Sequence, residues 1–197
     1  GPPCQGFSKQ RRGAAALDDP RNGLVREFAR LVEETCPRAF LFENVQIFGQ
    51  KRGRVLIDEL SERLSGYDVH DFFVCSSDHG IAQSRGRFLM IGLRSDLGAP
   101  PPLLPTSENR VTVRDAIGDL PAPPDDYTEH PEVANHIQCK ITSTNRLRIS
   151  HVPQGGGWRD IPFELRLPCH QRVDTTKGGW PDVYGRLSWN GVCPTIT

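Results

Sequence analysis

The sequence has six cysteines but no Cys-x-x-Cys pair, and six histidines but no His-Glu-x-x-His. The spacings that build a structural zinc site or a metalloprotease centre are therefore missing, and no metal is expected. Cys4, Cys36, Cys75, Cys139, Cys169 and Cys193 are scattered, unlike the dense framework of a disulfide-stapled secreted domain. They are expected to be reduced, in a cytoplasmic protein. No apolar run is long enough to span a membrane, and no signal-peptide pattern occurs. Neither sign of charge is in excess: 24 Lys and Arg balance 24 Asp and Glu. The whole-chain field therefore does not steer a polyanion, although local patches can. Gly155-Gly156-Gly157 is followed by Trp158 rather than Gly-Lys-Ser/Thr, so it is not a phosphate-cradling loop. There is no internal repeat. What remains is a chain of 197 residues, 37% hydrophobic and 24% charged, able to bury a core. Its 17 prolines and 19 glycines make much of it loop.

The first eight residues are the most pointed feature. Gly1-Pro2-Pro3-Cys4-Gln5-Gly6-Phe7-Ser8 sets a cysteine behind two prolines, a stiff loop that presents a thiol as a nucleophile. No strand precedes it, and the expectation is part of a larger enzyme. Residues 22–35 read as an amphipathic helix with Leu24, Phe28, Leu31 and Val32 on one face, stopped by Pro37. Ala39 to Phe42 is a short strand leading into Glu43-Asn44. A second helix spans about 53–65, with Val55, Leu56, Leu60 and Leu64 inward and Gly66 as its stop. Tyr67 to Cys75 and Arg87 to Leu93 are strands. Helix, strand, helix, strand, strand is the back half of an open α/β sheet, whose ligands sit at the carboxyl ends of strands. Glu43 and Asn44 fall at one such end. From Gly98 the texture turns to Pro, Gly, His and Arg. The predicted organisation is a partial catalytic domain over 1–98, a loop-rich lobe over 99–185 and a return strand over 186–197.

Four segments carry chemistry: Pro3-Cys4-Gln5, Glu43-Asn44-Val45, Gln83-Ser84-Arg85-Gly86-Arg87, and Arg186 to Asn190 with Pro194-Thr195-Ile196-Thr197. Each alone has a bland reading. Pro-Cys loops are commonly structural, Glu-Asn-Val can be a solvated edge, and alternate arginines on a strand usually face water. The isolated histidines read as structural or solvated. The succession in this order is what carries information.

That succession resembles the cytosine-5 DNA methyltransferase family along the whole chain. Gly1 to Ser8 matches the family's nucleophile loop, Glu43-Asn44-Val45 its Glu-Asn-Val, and Gln83 to Arg87 its Gln-x-Arg-x-Arg element. Asp19 to Leu24, Val111 to Pro121, Pro153 to Asp160 and Gly185 to Trp189 are also similar to family segments. Ala82, Asn190 and Cys193 depart from it, standing where Pro, Asp and Ser are commoner. The resemblance implies a Rossmann-like methyltransferase sheet with a target-recognition lobe, acting on double-stranded DNA. It implies that Cys4 adds to carbon 6 of a flipped cytosine, making carbon 5 nucleophilic toward the methyl of S-adenosyl-L-methionine. Glu43 would hold or protonate ring nitrogen 3, its pKa raised by burial. Arg87 would bond the base carbonyl, and Arg85 would support the Cys4 side. Gln5, Ser8, Asn44 and Gln83 are candidates for the displaced nucleotide or its phosphate. Of the family's cofactor contacts only Pro3 and Leu24 match, and the Gly-rich turn and acidic residue of the first half-sheet are absent. The chain alone is therefore expected to bind the cofactor poorly, and its partners to include the other half of the methyltransferase or a second copy at an open strand edge. Restriction–modification in a prokaryotic, nucleoid-associated setting is the expected context. A transfer-RNA methyltransferase of the same family and a non-catalytic nucleic-acid-binding module are the alternatives.

Overall fold

The computed structural model describes residues 1–2, 23–50, 53–98, 106–173 and 183–196. The chain divides into two compact units, 1–110 and 111–197.

The first unit is helix on sheet. Helix α1 (Gly23–Thr35) is followed by strand β1 (Ala39–Val45), helix α2 (Arg54–Arg63), strand β2 (Tyr67–Cys75) and strand β3 (Gly86–Arg94). Strand β3 is central and antiparallel to both neighbours, in the order β1-β3-β2. The expected α/β class and all three strands are present. Both helices supply apolar side chains to one core. Phe40 and Phe42 of β1, Phe88 and Met90 of β3, Val25, Ala29 and Val32 of α1, and Leu56, Ile57 and Leu60 of α2 make it up, with Phe48 and Leu64. Phe28 packs edge-on against Phe40 and Phe42, with ring centroids 5.7 and 5.2 Å apart.

The inward faces of the two helices keep Phe28, Val32, Leu56, Leu60 and Leu64 from the sequence reading and differ from it at three positions. Leu24 and Leu31 stand 43% and 50% exposed, and the buried stripe is Val25, Ala29 and Val32, one position along. Both sets recur at i, i+4, i+7, so periodicity alone does not choose between them. The set containing Ala29 lets the helix approach the core closely. In α2, Val55 is 64% exposed and Ile57 takes the inward place assigned to it. Helix α1 ends as Pro37 requires: Cys36, the residue before it, leaves the helical region for φ 43°, its amide still donating to the Val32 carbonyl. Two bidentate pairs, Arg26 with Glu59 and Arg63 with Glu33, link the exposed sides of the helices. Such surface pairs fix orientation more than they stabilise.

The second unit has short helices around a small core. Helix α3 (Val113–Ile117) starts with a capping box, in which the Asp115 amide donates to Thr112 Oγ1 and the Thr112 amide to Asp115. Helix α4 (Ser143–Ser150) is capped by Thr142. Val152, Trp158 and Ile161 are the buried centre, with Leu165, Val173 and Tyr184 packed on them. The His170 ring stacks on Trp158 with centroids 4.6 Å apart. The glycine run has a backbone role: the Gly155 amide donates to the Arg186 carbonyl and the Arg186 amide to the Gly156 carbonyl. Gly155 sits at φ 73°, where a side chain would be strained. The strand expected over 186–197 shrinks to Cys193–Pro194. The described remainder is turns and bends, held in part by Val113 and Arg114 amides donating to the carbonyls of Gly191 and Trp189.

The corrected helix faces predict unequal costs. Leu60→Ala should destabilise the chain by about 2–5 kcal/mol in urea unfolding, because a buried leucine leaves a cavity. Leu24→Ala should change it by no more than about 0.5 kcal/mol. A second expectation concerns pH. Burial lowers the His170 pKa from its usual value, with Arg166 and Arg148 adding to the effect. The folded unit therefore favours neutral His170. Its stabilising contribution is complete above the unfolded value near 6.5 and is lost as pH falls below it. The unfolding midpoint should drop between pH 7.5 and 5.5, and His170→Gln should flatten that dependence.

Candidate active site

The strand alternation places the candidate groups. On β1, Phe40, Phe42 and Asn44 point into the core side, so Glu43 points to the opposite face. On β3, Phe88 and Met90 point inward, so Arg87 shares the face of Glu43. The register pairs Val45 with Arg87 and Glu43 with Leu89, which makes Glu43 and Arg87 diagonal neighbours. They meet: Arg87 Nε lies 2.7 Å from Glu43 Oε1. Arg87 also donates from its Nη1 to the Gly86 carbonyl at 2.8 Å, which fixes the guanidinium. The Arg87 side chain is 18% exposed and that of Glu43 44%. The burial expected around Glu43 is thus partial, and a guanidinium is its immediate surroundings.

Asn44 is 3% exposed. Its Nδ2 donates to the Pro2 carbonyl at 3.3 Å, and its Oδ1 accepts the Val45 amide at 2.9 Å. Gly1 lies directly on the β1 backbone, where a Cβ would collide with the Glu43 carbonyl. The end of β1 therefore meets the start of the segment that carries Cys4. Cys4, Pro3, Gln5 and Ser8 themselves lie outside the described residues. Leu24 is in the first turn of α1, exposed and outside the buried stripe.

Gln83 and Arg85 lie in the segment that enters β3. Arg85 is exposed, and among the described residues its guanidinium has no partner. Its backbone is held by Ser76, a residue that sequence reasoning did not single out. The Arg85 amide donates to Ser76 Oγ at 3.1 Å, the Ser76 amide donates to the Arg85 carbonyl at 3.2 Å, and Ser76 Oγ donates to the Gln83 carbonyl. A serine after a strand gives no signal in the sequence, because the bonds form only when the chain doubles back. Beside it, hydrogen bonds with Ser77 and then Ser84 hold the Cys75 thiol below its usual pKa. Among the described residues no group of three or more His, Cys, Asp or Glu could hold a metal ion, and no helix is long and apolar enough to cross a membrane.

In the second unit, the arginines divide by their partners. Arg148 donates to the Leu165 carbonyl, Asn145 and Tyr184. Arg166 donates to the carbonyls of Ile161 and Arg159 and lies over Trp158. Both are structural. Arg172 is exposed. Arg159 lies over the Trp158 ring, 5.1 Å from its centroid. Arg146 is exposed, donates to the Tyr127 hydroxyl, and with Ile149, Ser150, Tyr184, Gly185 and Arg186 lines a cleft of about 400 Å³.

Residues 1–187 match the model of the C-5 cytosine-specific DNA methylase family. The chain is 34% identical over 200 residues to the type II methylase M.HgiDII of Herpetosiphon aurantiacus, covering 99% of this chain and 54% of that protein. It is 39% identical over 170 residues to the type II methyltransferase M1.HphI of Haemophilus parahaemolyticus, covering 84% and 45%. The chain thus spans about half the length of these curated relatives. Its fold is similar to a DNA modification methyltransferase encoded within a prophage of E. coli, with TM-score 0.58 and 26% identity, over 98% of this chain and 60% of that one. The strand end that pairs Glu43 with Arg87, the segment that begins at Gly1 and the match over nearly the whole length agree: the chain belongs to the C-5 cytosine-specific DNA methylase family.

Proposed function

We propose that this chain supplies the base-activating and DNA-recognising part of a DNA cytosine-5 methyltransferase. The observation that carries the reading is the Glu43–Arg87 pair, an acid and a cation side by side at a strand end that also holds Pro2, two residues before Cys4. Covalent geometry keeps the Cα of Cys4 within about 7 Å of that of Pro2. A nucleophile, a carboxyl group and a guanidinium are therefore tethered to one place.

The chemistry at the base follows from those three groups. The Cys4 thiolate adds to carbon 6 of a cytosine flipped from the duplex, forming a carbon–sulfur bond and pushing an electron pair toward ring nitrogen 3. Glu43 meets that nitrogen and donates or shares a proton there. Arg87 bonds the carbonyl oxygen on carbon 2, where negative charge also collects. Carbon 5 is left electron-rich. Arg85 lends positive potential on the Cys4 side, and Gln83 faces the displaced strand.

The family uses S-adenosylmethionine as methyl donor. The described residues offer it one exposed apolar contact, Leu24, and the carboxylate one turn along, Glu27, is paired with Arg30 at 2.8 Å. The work proposed for this chain's described residues is the half of the reaction that takes place at the base. DNA contacts come from the second unit, with Arg146 beside the cleft as a phosphate ligand, while Arg186 also donates to the Val152 carbonyl at 3.1 Å. A cytoplasmic, nucleoid-associated protein is the setting this implies.

The test separates addition from methyl transfer. A mixed-sequence duplex carrying 2-pyrimidinone in place of cytosine accepts a thiol at carbon 6 without a methyl donor. The chain should form an adduct that survives denaturing electrophoresis and disappears in Cys4→Ala. Glu43→Gln should slow its formation by roughly 10²–10⁴-fold, the usual worth of a positioned acid. An adduct that persists in Cys4→Ala, or DNA binding with no adduct at all, would overturn the reading.

A further inference from the structure

We propose that Asn44 is a positioning residue for the Cys4 loop, tying Pro2 to the end of β1, and not a contact to nucleic acid. The proposal rests on the reading of Cys4 as the nucleophile. Asn44 is 3% exposed, so a nucleotide has almost no access to it. Its amide is engaged at both ends: Nδ2 donates to the Pro2 carbonyl at 3.3 Å, and Oδ1 accepts the Val45 amide at 2.9 Å. The second bond is local and sets the orientation of the amide plane. The first crosses 42 residues of sequence and joins two segments that chain connectivity leaves apart. A buried amide that lost the Pro2 carbonyl would carry an unmet donor, which costs more than the bond itself gives.

Gly1 supplies an independent observation. Its Cα lies so close to β1 that a Cβ would strike the Glu43 carbonyl, so both residues ahead of Pro3 are fitted to this strand end. The consequence is a division of labour between two adjacent residues. Alternation along β1 turns Glu43 to the face it shares with Arg87 and turns Asn44 inward to Pro2. One dipeptide thereby sets the carboxyl group and the leading end of the nucleophile segment in a common frame. Holding reacting groups in register is worth far more than the strength of the tether, because misplacement by about 1 Å can cost 10²-fold.

Thiol reactivity in the whole chain tests this. Alkylation of each cysteine by iodoacetamide is followed by peptide mass spectrometry across pH, with Cys36, Cys139 and Cys169 as exposed internal references. Three variants are compared with the wild type. Asn44→Asp keeps the acceptor for Val45 and removes the donor to Pro2. Asn44→Ala removes both. Gly1→Val pushes the segment off β1 without touching the core. In the wild type, Cys4 should react faster than the references and with a lower apparent pKa. In all three variants its rate should fall about tenfold toward theirs, and its profile should move to that of a free thiol near 8.5. Affinity for duplex DNA should stay within about twofold for the Asn44 variants, since no phosphate or base contact is removed. Unchanged Cys4 reactivity in the variants overturns the proposal, as does a loss of DNA affinity with reactivity intact, which would make Asn44 a nucleotide ligand. A wild-type Cys4 no faster than the references overturns the nucleophile reading itself, and the proposal with it.

Discussion

The antiparallel register of β1 and β3 is the constraint on which the candidate site depends. Val45 opposite Arg87 makes Glu43 and Arg87 diagonal neighbours on one face while Asn44 and Phe88 turn inward. A slip of one residue would send Arg87 into the aromatic core and Phe88 to solvent. The core favours this register: Phe42, Phe48 and Phe88 are buried and, with the half-exposed Phe73, form a chain of ring contacts 5.4–5.8 Å apart. Packing that appears remote from chemistry is what brings a carboxylate to a guanidinium.

The second unit works under a different regime. Among its described residues the buried apolar centre is Val152, Trp158 and Ile161, with polar groups packed around Trp158. Arg148 and Arg166 spend their donors on backbone carbonyls, and Tyr184 bonds Asn145. Cations that composition would offer to a polyanion are instead internal struts. Removing one of them should be read first as damage to the unit and only then as loss of a contact.

Much of the first unit was legible in the sequence. The strands read over Tyr67 to Cys75 and Arg87 to Leu93 are observed as Tyr67–Cys75 and Gly86–Arg94, and Pro37 marked the end of α1. The inward faces of α1 and α2 were legible in part: Phe28, Val32, Leu56, Leu60 and Leu64 turn to the core as read, but only packing selects Val25 over Leu24 and Ile57 over Val55. The proximity of Glu43 and Arg87 followed from motif resemblance rather than from pattern, since their meeting depends on pairing between strands far apart in sequence. Ser76 was invisible for the same reason: its role is a set of backbone bonds formed across a turn. In the second unit, sparse apolar periodicity gave no basis for placing Cys193 and Pro194 in a strand while leaving residues 186–192 irregular.

The contact between Arg87 and Glu43 also changes what entry into the site means. Each group already satisfies the other, at 2.7 Å. On the proposed function, a base that arrives opens this pair and then meets both halves, offering an acceptor to the guanidinium and a nitrogen to the carboxyl group. Entry is thus an exchange of partners. A ring that presents both features on one edge can complete the exchange, whereas a phosphate can meet only the guanidinium and is repelled by the carboxylate. On the proposed function, discrimination is then built into the resting pair itself.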